Sequence, residues 1–278
     1  VTPCRSRRRG EGVCSATSRL FHDQEKKMAS LRLVTVVGLL AAAAVLGSQA
    51  PAQAPPDASK SQKKTNPATD PQPRTDEGWV ARQKELNERA KKGGAELLFL
   101  GDSITEGWEG GGKEVWAKHY TPRKALNLGV SGDQTQHVLW RLEHGNVDGL
   151  APKAAVVMIG TNNTGGGQTA EQIAEGVQAV TDKLKEKLPK TKVLLLAIFP
   201  RGEKADPKRA LVASVNQLLA KVADGKRVFF LDIGPKLVGA DGVIDPAIMP
   251  DLLHLSAKGY AIWADAIEAD LKKVLEEK

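Results

Sequence analysis

The sequence predicts a three-layer α/β/α sandwich around a five-stranded parallel sheet. Five short apolar runs are continuous rather than alternating, as expected of strands covered on both faces. The segments between them carry apolar residues three and four apart, the period of helices that bury one face. Polar, glycine-containing segments follow the first three runs, at the strand ends where open parallel sheets keep their sites. The 278 residues are 41% apolar and 26% charged, an ordinary globular composition. A folding unit of about 200 residues needs no disulfide or metal staple to hold its core.

Taken in order, the first 76 residues read as address rather than machinery. Residues 1–27 carry seven basic and three acidic side chains and both cysteines, Cys4 and Cys14. They precede Met28 and read as an upstream over-extension, with Met28 as the true start. Residues 28–54 have the three parts of a secretory signal peptide: one early charge (Arg32), an apolar centre from Leu33 to Leu46, and small residues with A-x-A spacing at Ala50, Ala52 and Ala54. The apolar run is shorter than the roughly 20 residues that span a bilayer and ends in prolines, so no stable membrane anchor is expected. The product is expected to be exported, periplasmic or extracellular. Residues 55–76 are rich in Pro, Ser, Thr, Asp and Lys without apolar period, and read as a flexible tether.

The catalytic domain is expected over residues 77–278. An amphipathic helix from Glu77 to about Lys92 stops at Gly93-Gly94. The strands are Leu97–Leu100, Ala125–Leu128, Ala154–Ile159, Val193–Phe199 and Val228–Leu231. A Thr169-x-x-Gln172 capping box opens a helix whose apolar stripe is Ile173, Val177, Val180, Leu184 and Leu188. Leu211, Val215, Leu218 and Val222 mark another, and Tyr260, Trp263, Ile267, Leu271 and Val274 the last.

Composition excludes some functions. The net charge of +7 sits mostly in the first 54 residues and leaves about +2 from Pro55 onward. Aromatic residues are few, with no basic patch interleaved with stacking side chains, so no nucleic-acid partner is expected. His137 and His144 share one helix but cannot close a zinc site alone, and no metal is expected. Gly107–Lys113 nearly matches a phosphate loop, but Glu114 stands where the hydroxyl residue belongs. Gly129-Val-Ser131-Gly-Asp133 lacks the second glycine of a G-x-S-x-G nucleophile elbow.

The remaining polar residues suit acyl transfer. A serine nucleophile needs a base to take its proton and a third group to orient that base. Ser103, His254 and Asp251 supply these, and the Asp-x-x-His spacing lets one loop carry both partners. Negative charge on a tetrahedral intermediate needs fixed donors. Candidates are the Ser103 N–H, the Gly132 N–H and the Asn162 side-chain amide. Ile104 follows the nucleophile and Leu253 precedes the base, so both are expected to wall the acyl side and to favour acetyl over longer chains.

Four blocks, Gly101-Asp-Ser103-Ile-Thr-Glu-Gly-Trp108, Asn127-Leu-Gly-Val-Ser-Gly132-Asp-Gln-Thr135, Gly160-Thr-Asn162-Asn163 and Asp251-Leu-Leu-His254-Leu-Ser256, resemble those of the SGNH (GDSL) esterase/lipase family in order and spacing. His137-Val-Leu-Trp-Arg-Leu142, Phe199-Pro-Arg-Gly202 and Leu231-Asp232 further resemble catalytic subunits of the intracellular platelet-activating factor acetylhydrolases. The resemblance implies a flavodoxin-like strand order and Ser103 as nucleophile. It also implies Gly132 and Asn162 as oxyanion donors, the Asp251–His254 dyad, and no metal or organic cofactor. It departs in address, since those enzymes are cytosolic and this chain reads as exported. The reading is therefore a secreted serine esterase acting on short-chain esters of a small molecule or carbohydrate. A carbohydrate acetylesterase, for example on xylan, and a non-catalytic binding protein on the same fold remain as alternatives, and a homodimer is left open.

Overall fold

Parallel pairing and two-sided burial, the features that the continuous apolar runs imply, both occur. The computed structural model describes residues 65–276. The chain order is α1 (Glu77–Lys91), β1 (Leu97–Gly101), α2 (Ser103–Glu106), α3 (Lys113–His119), β2 (Ala125–Gly129), α4 (Thr135–Glu143), β3 (Ala154–Met158), α5 (Ala170–Lys187), β4 (Lys192–Leu196), α6 (Pro207–Leu219), β5 (Val228–Leu231) and α7 (Ala257–Leu275). All pairings are parallel and the strand order is β2-β1-β3-β4-β5. This is the five-stranded doubly wound α/β fold expected. The order reverses direction at β1, which puts a crevice between β1 and β3 beyond their carboxyl ends.

Register then decides what meets at that crevice. Gly101 pairs with Gly129 on one side and with Met158 on the other. The three strands therefore end level, and the segments beginning at Asp102, Val130 and Ile159 leave the sheet side by side.

Alternate strand residues feed two separate cores. Leu98, Leu100, Ala155, Val157, Val193 and Leu195 pack with α1, α4, α5 and α6. Leu97, Phe99, Val156, Met158, Leu194 and Leu196 pack with α2, α7 and the turns around them. The second core is aromatic: Phe99, Trp108, Trp116, Tyr120, Tyr260 and Trp263 form a chain of ring contacts 4.5–6.2 Å apart. Such pairs add about 0.5–1.5 kcal/mol each beyond area burial. They lie directly beneath the short helix that carries Ser103.

Two expectations change. The predicted strand Val193–Phe199 pairs only to Leu196, although Ala197, Ile198 and Phe199 are buried. An apolar run reports burial: Ala197 still donates its N–H to Leu231 O at 3.0 Å, while Ile198 and Phe199 are buried in the loop after the strand. The tether expected over residues 55–76 is corrected for its described part. Residues 65–76 pack against the domain: Ala68 is fully buried, Thr135 Oγ1 donates to its carbonyl at 2.8 Å, and Asn66 Nδ2 donates to Gln172 O at 3.0 Å. The composition is polar, but side-chain and backbone hydrogen bonds replace apolar contact in holding the segment. Asp76 then N-caps α1 by accepting from Trp79 N at 3.0 Å. Residues 1–64, which include the signal-peptide reading and the rest of the tether, lie outside the described residues. Among the described residues, no helix is long and apolar enough to cross a membrane.

Candidate active site

The nucleophile candidate sits where a strand turns abruptly into a helix. β1 ends at Gly101, whose missing side chain is required because a Cβ would lie 2.3 Å from Met158 O. Asp102 caps the four-residue α2, accepting from Ile104 N at 3.0 Å, and Ser103 is its first residue. Tyr260, reaching up from α7, donates its hydroxyl to Ile104 O at 2.7 Å, and Asn127 Nδ2 donates to Thr105 O at 3.0 Å. Two successive carbonyls of this single turn are thus tied to the lower helix and the sheet.

Ser103 Oγ and His254 Nε2 are 2.9 Å apart, across 151 residues of sequence. His254 Nδ1 and Asp251 Oδ2 are 2.6 Å apart. The other carboxylate oxygen of Asp251 accepts from the backbone N–H groups of Leu253 (3.1 Å) and His254 (2.7 Å). Partial desolvation works against the ionised form, but these hydrogen bonds outweigh it and hold the Asp251 carboxyl below its ordinary range. Leu252 between them has φ of +59°, a left-handed conformation unusual for a leucine. Its carbonyl accepts from Gly202 N at 2.8 Å, and Arg201 Nη1 donates to Thr161 O at 2.9 Å. The Arg201-Gly202 pair therefore couples the base loop to the residue preceding Asn162.

The donor candidates lie on adjoining loops. Asn162 Nδ2 spends one hydrogen on Asp133 O at 2.9 Å, which orients the amide and leaves its second hydrogen without a protein acceptor among the described residues. Among the described residues the Gly132 N–H donates to no protein acceptor. Asp133 is fully buried under this loop. It accepts from Arg141 Nε at 2.7 Å and Trp79 Nε1 at 2.8 Å, while burial pushes its carboxyl up. Arg141, also fully buried, donates in addition to Leu128 O at 3.1 Å and to Asn146.

Asp102 is the unusual neighbour. It is completely buried, its Oδ2 has no hydrogen-bond partner, and burial pushes its pKa up to about 7. It is a buried carboxyl group, adjacent in sequence to the nucleophile, whose ionised form the fold disfavours.

Of the residues expected at the site, Ser103, Asp251 and His254 come together, with Gly132 and Asn162 on loops from the adjoining strands. Ile104 does not belong to an acyl wall: it is 1% exposed and packs with Trp108 and the aromatic core, because α2 turns its second residue inward. Leu253 remains partly exposed beside the base. His137 and His144 make no common site. His137 Nδ1 accepts from Gln134 N, and burial lowers its pKa to about 4; His144 stacks on Trp140 at 3.8 Å. Among the described residues no three His, Cys, Asp or Glu side chains gather as metal ligands. The near-phosphate loop is closed by packing, since a Cβ on Gly112 would meet Trp108 and Tyr260 within 3 Å.

Sequence reasoning missed Arg74 and Tyr260 as contributors. Tyr260 reads from sequence as a core residue, and only its hydroxyl contact distinguishes it. Arg74 lay in the polar stretch taken for tether.

Comparisons with known proteins bear on the family and the fold. The model of the GDSL-like Lipase/Acylhydrolase family matches residues 99–262. The human platelet-activating factor acetylhydrolase IB subunit alpha1 is 38% identical over 217 residues, covering 76% of this chain and 92% of that protein. The rat alpha2 subunit is 37% identical over 223 residues, covering 78% and 95%. Among solved structures, a GDSL-like lipase from Bacteroides thetaiotaomicron superimposes with a TM-score of 0.55 at 21% identity, covering 69% of this chain and 98% of that one. An acetylxylan esterase from Geobacillus stearothermophilus gives 0.51 at 19%, covering 66% and 94%. At these identities the solved structures speak to the fold.

Proposed function

We propose, from the premise that this chain belongs to the GDSL-like lipase/acylhydrolase family, that it is an exported serine esterase removing short acyl groups, acetyl foremost. The observation that carries the serine mechanism is the relay from Ser103 Oγ through the His254 ring to Asp251, at 2.9 and 2.6 Å.

In the first half-reaction Ser103 Oγ attacks the ester carbonyl while its proton passes to His254 Nε2. Asp251 keeps Nδ1 protonated, so Nε2 is the free acceptor, and it stabilises the imidazolium that forms. The carbonyl oxygen becomes an oxyanion facing the Ser103 and Gly132 N–H groups and the Asn162 amide. Collapse breaks the ester C–O bond, and the leaving alkoxide takes the proton from His254. Water then repeats the sequence on the acyl-enzyme, returning Ser103 and releasing a carboxylic acid.

Support for acetyl is chemical and comparative. The relatives that share more than a third of their residues are named as acetylhydrolases. Leu253 borders the base, although Ile104 no longer adds a second wall. Support for export is the charged, apolar and small-residue order of residues 28–54. The test is a p-nitrophenyl ester series with wild type and Ser103→Ala. We expect kcat/KM to fall steeply from acetyl to octanoyl, and Ser103→Ala to leave near-background hydrolysis with an unchanged melting temperature. Equal activity on octanoyl would remove the short-chain assignment. Full activity of Ser103→Ala would remove the mechanism. Release of acetate from acetylated xylan would move the substrate to carbohydrate.

A further inference from the structure

Gly132 cannot fix its own N–H. Its φ of +78° is a conformation that glycine adopts without steric cost, as it does the alternatives. Glycine's freedom alone would let the peptide joining Ser131 to Gly132 turn over, and turning would reverse the direction of the N–H. In a trans peptide the carbonyl and the N–H point to opposite sides. Whatever grips the Ser131 carbonyl thus determines where the Gly132 N–H points.

Arg74 grips it. Its Nη1 donates to Ser131 O at 2.6 Å. The guanidinium is itself held, with Nε and Nη2 on Asp76 Oδ2 at 3.0 and 2.9 Å, and Asp76 is anchored as the N-cap of α1. Nη1 also lies 3.7 Å from the buried Asp133 carboxylate, which draws the cation onto the loop. On the other side of the same residue, Ser131 N donates to Glu106 Oε2 at 2.5 Å. The guanidinium packs so closely that a Cβ on Gly132 would lie 2.8 Å from Nη1. A cation bonded to the carbonyl oxygen also polarises the peptide, which strengthens the N–H as a donor.

We infer that Arg74 is a positioning residue for the oxyanion hole, delivered by the segment preceding the domain's first helix, and that it sets the orientation of the Ser131–Gly132 peptide. The inference rests on the serine-esterase reading and on Gly132 as an oxyanion donor. A donor aimed at charge that exists only in the transition state changes kcat and leaves substrate binding nearly untouched.

The experiment compares wild type, Ser103→Ala, Arg74→Ala and Arg74→Lys, all as the full chain, on p-nitrophenyl acetate, with melting temperatures and with low-millimolar guanidinium added to Arg74→Ala. We expect Arg74→Ala to lose about 10–100-fold in kcat, short of the loss for deleting a donor outright, with KM within about twofold. Arg74→Lys, or added guanidinium, restores a large part of that loss. A kcat for Arg74→Ala within about twofold of wild type overturns the inference. So does a loss that tracks a fall in melting temperature and that neither lysine nor guanidinium recovers. Activity surviving in Ser103→Ala overturns instead the reading on which it rests.

Discussion

The two sides of the catalytic serine are built on opposite principles. The donor side stands on a buried network cross-linked at long range, although Ser131 and Gly132 themselves are exposed: Asp133 and Arg141 are fully buried, and their partners come from α1, from the ends of β1 and β2, and from the turn after α4. The base side is exposed and local: the side chains of His254 and Asp251 are 45% and 55% accessible, and most of their bonds stay within four residues. The difference follows from what each must do. Oxyanion donors work by not moving, in a site with little water. A base must rotate slightly, take up a proton and hand it on, which a hydrated loop permits.

That contrast can be broken most severely through Asn162. Asn162→Ala removes a donor from the rigid side and should cost about 10²–10³ in kcat with little change in KM. A loss under threefold in steady-state kinetics would show that its amide does not meet the oxyanion.

Stability should separate the sides next. Arg141→Ala leaves Asp133 buried without its cation and should cost about 3–5 kcal/mol by denaturant unfolding. Asp251→Ala should cost about 1 kcal/mol or less, because its partners are already solvated, while still lowering kcat by freeing the imidazole tautomer. Equal destabilisation by the two substitutions would mean that the base loop is as integral to the fold as the donor side.

The last comparison concerns Asp102. Its folded pKa of about 7 lies above the ordinary value of 3.8. A raised carboxyl pKa means that the folded state holds the proton more tightly, so its stabilising share is complete below the unfolded value and is lost as pH rises through the folded one. Asp102→Asn removes that titration. The melting-temperature difference between variant and wild type should therefore grow in the variant's favour from about pH 5 to about pH 8. A difference that stays flat across this range would place the ionised carboxylate comfortably in the fold.

Much of this was legible in advance, for reasons that differ by residue. The five strands were readable because a sheet covered on both faces leaves few positions for a polar residue, Asn127 in β2 being one whose amide is spent on Thr105 O, so each strand becomes a mostly apolar word bounded by glycine or a polar turn. Ser103 and the Asp251–His254 dyad were readable because acyl transfer admits few residue types and the sheet puts its loops at one edge. Ile104 was misread because adjacency to the nucleophile says nothing about direction: on a four-residue helix, one step of about 100° turns the neighbour into the core. Arg74 was invisible because a polar segment held by hydrogen bonds has the composition of one held by nothing.

The sequence by itself determined the layers, the strand set and the chemical identity of the relay, since these depend on hydrophobic period and on functional-group type, both local properties of the chain. Only the tertiary structure decided that the hydroxyl and imidazole lie 2.9 Å apart, that Ile104 faces inward and that Arg74 bears on the oxyanion loop. Those are distances between residues remote in sequence, and they are set by strand register and by how two cores pack against one sheet, which no local pattern encodes.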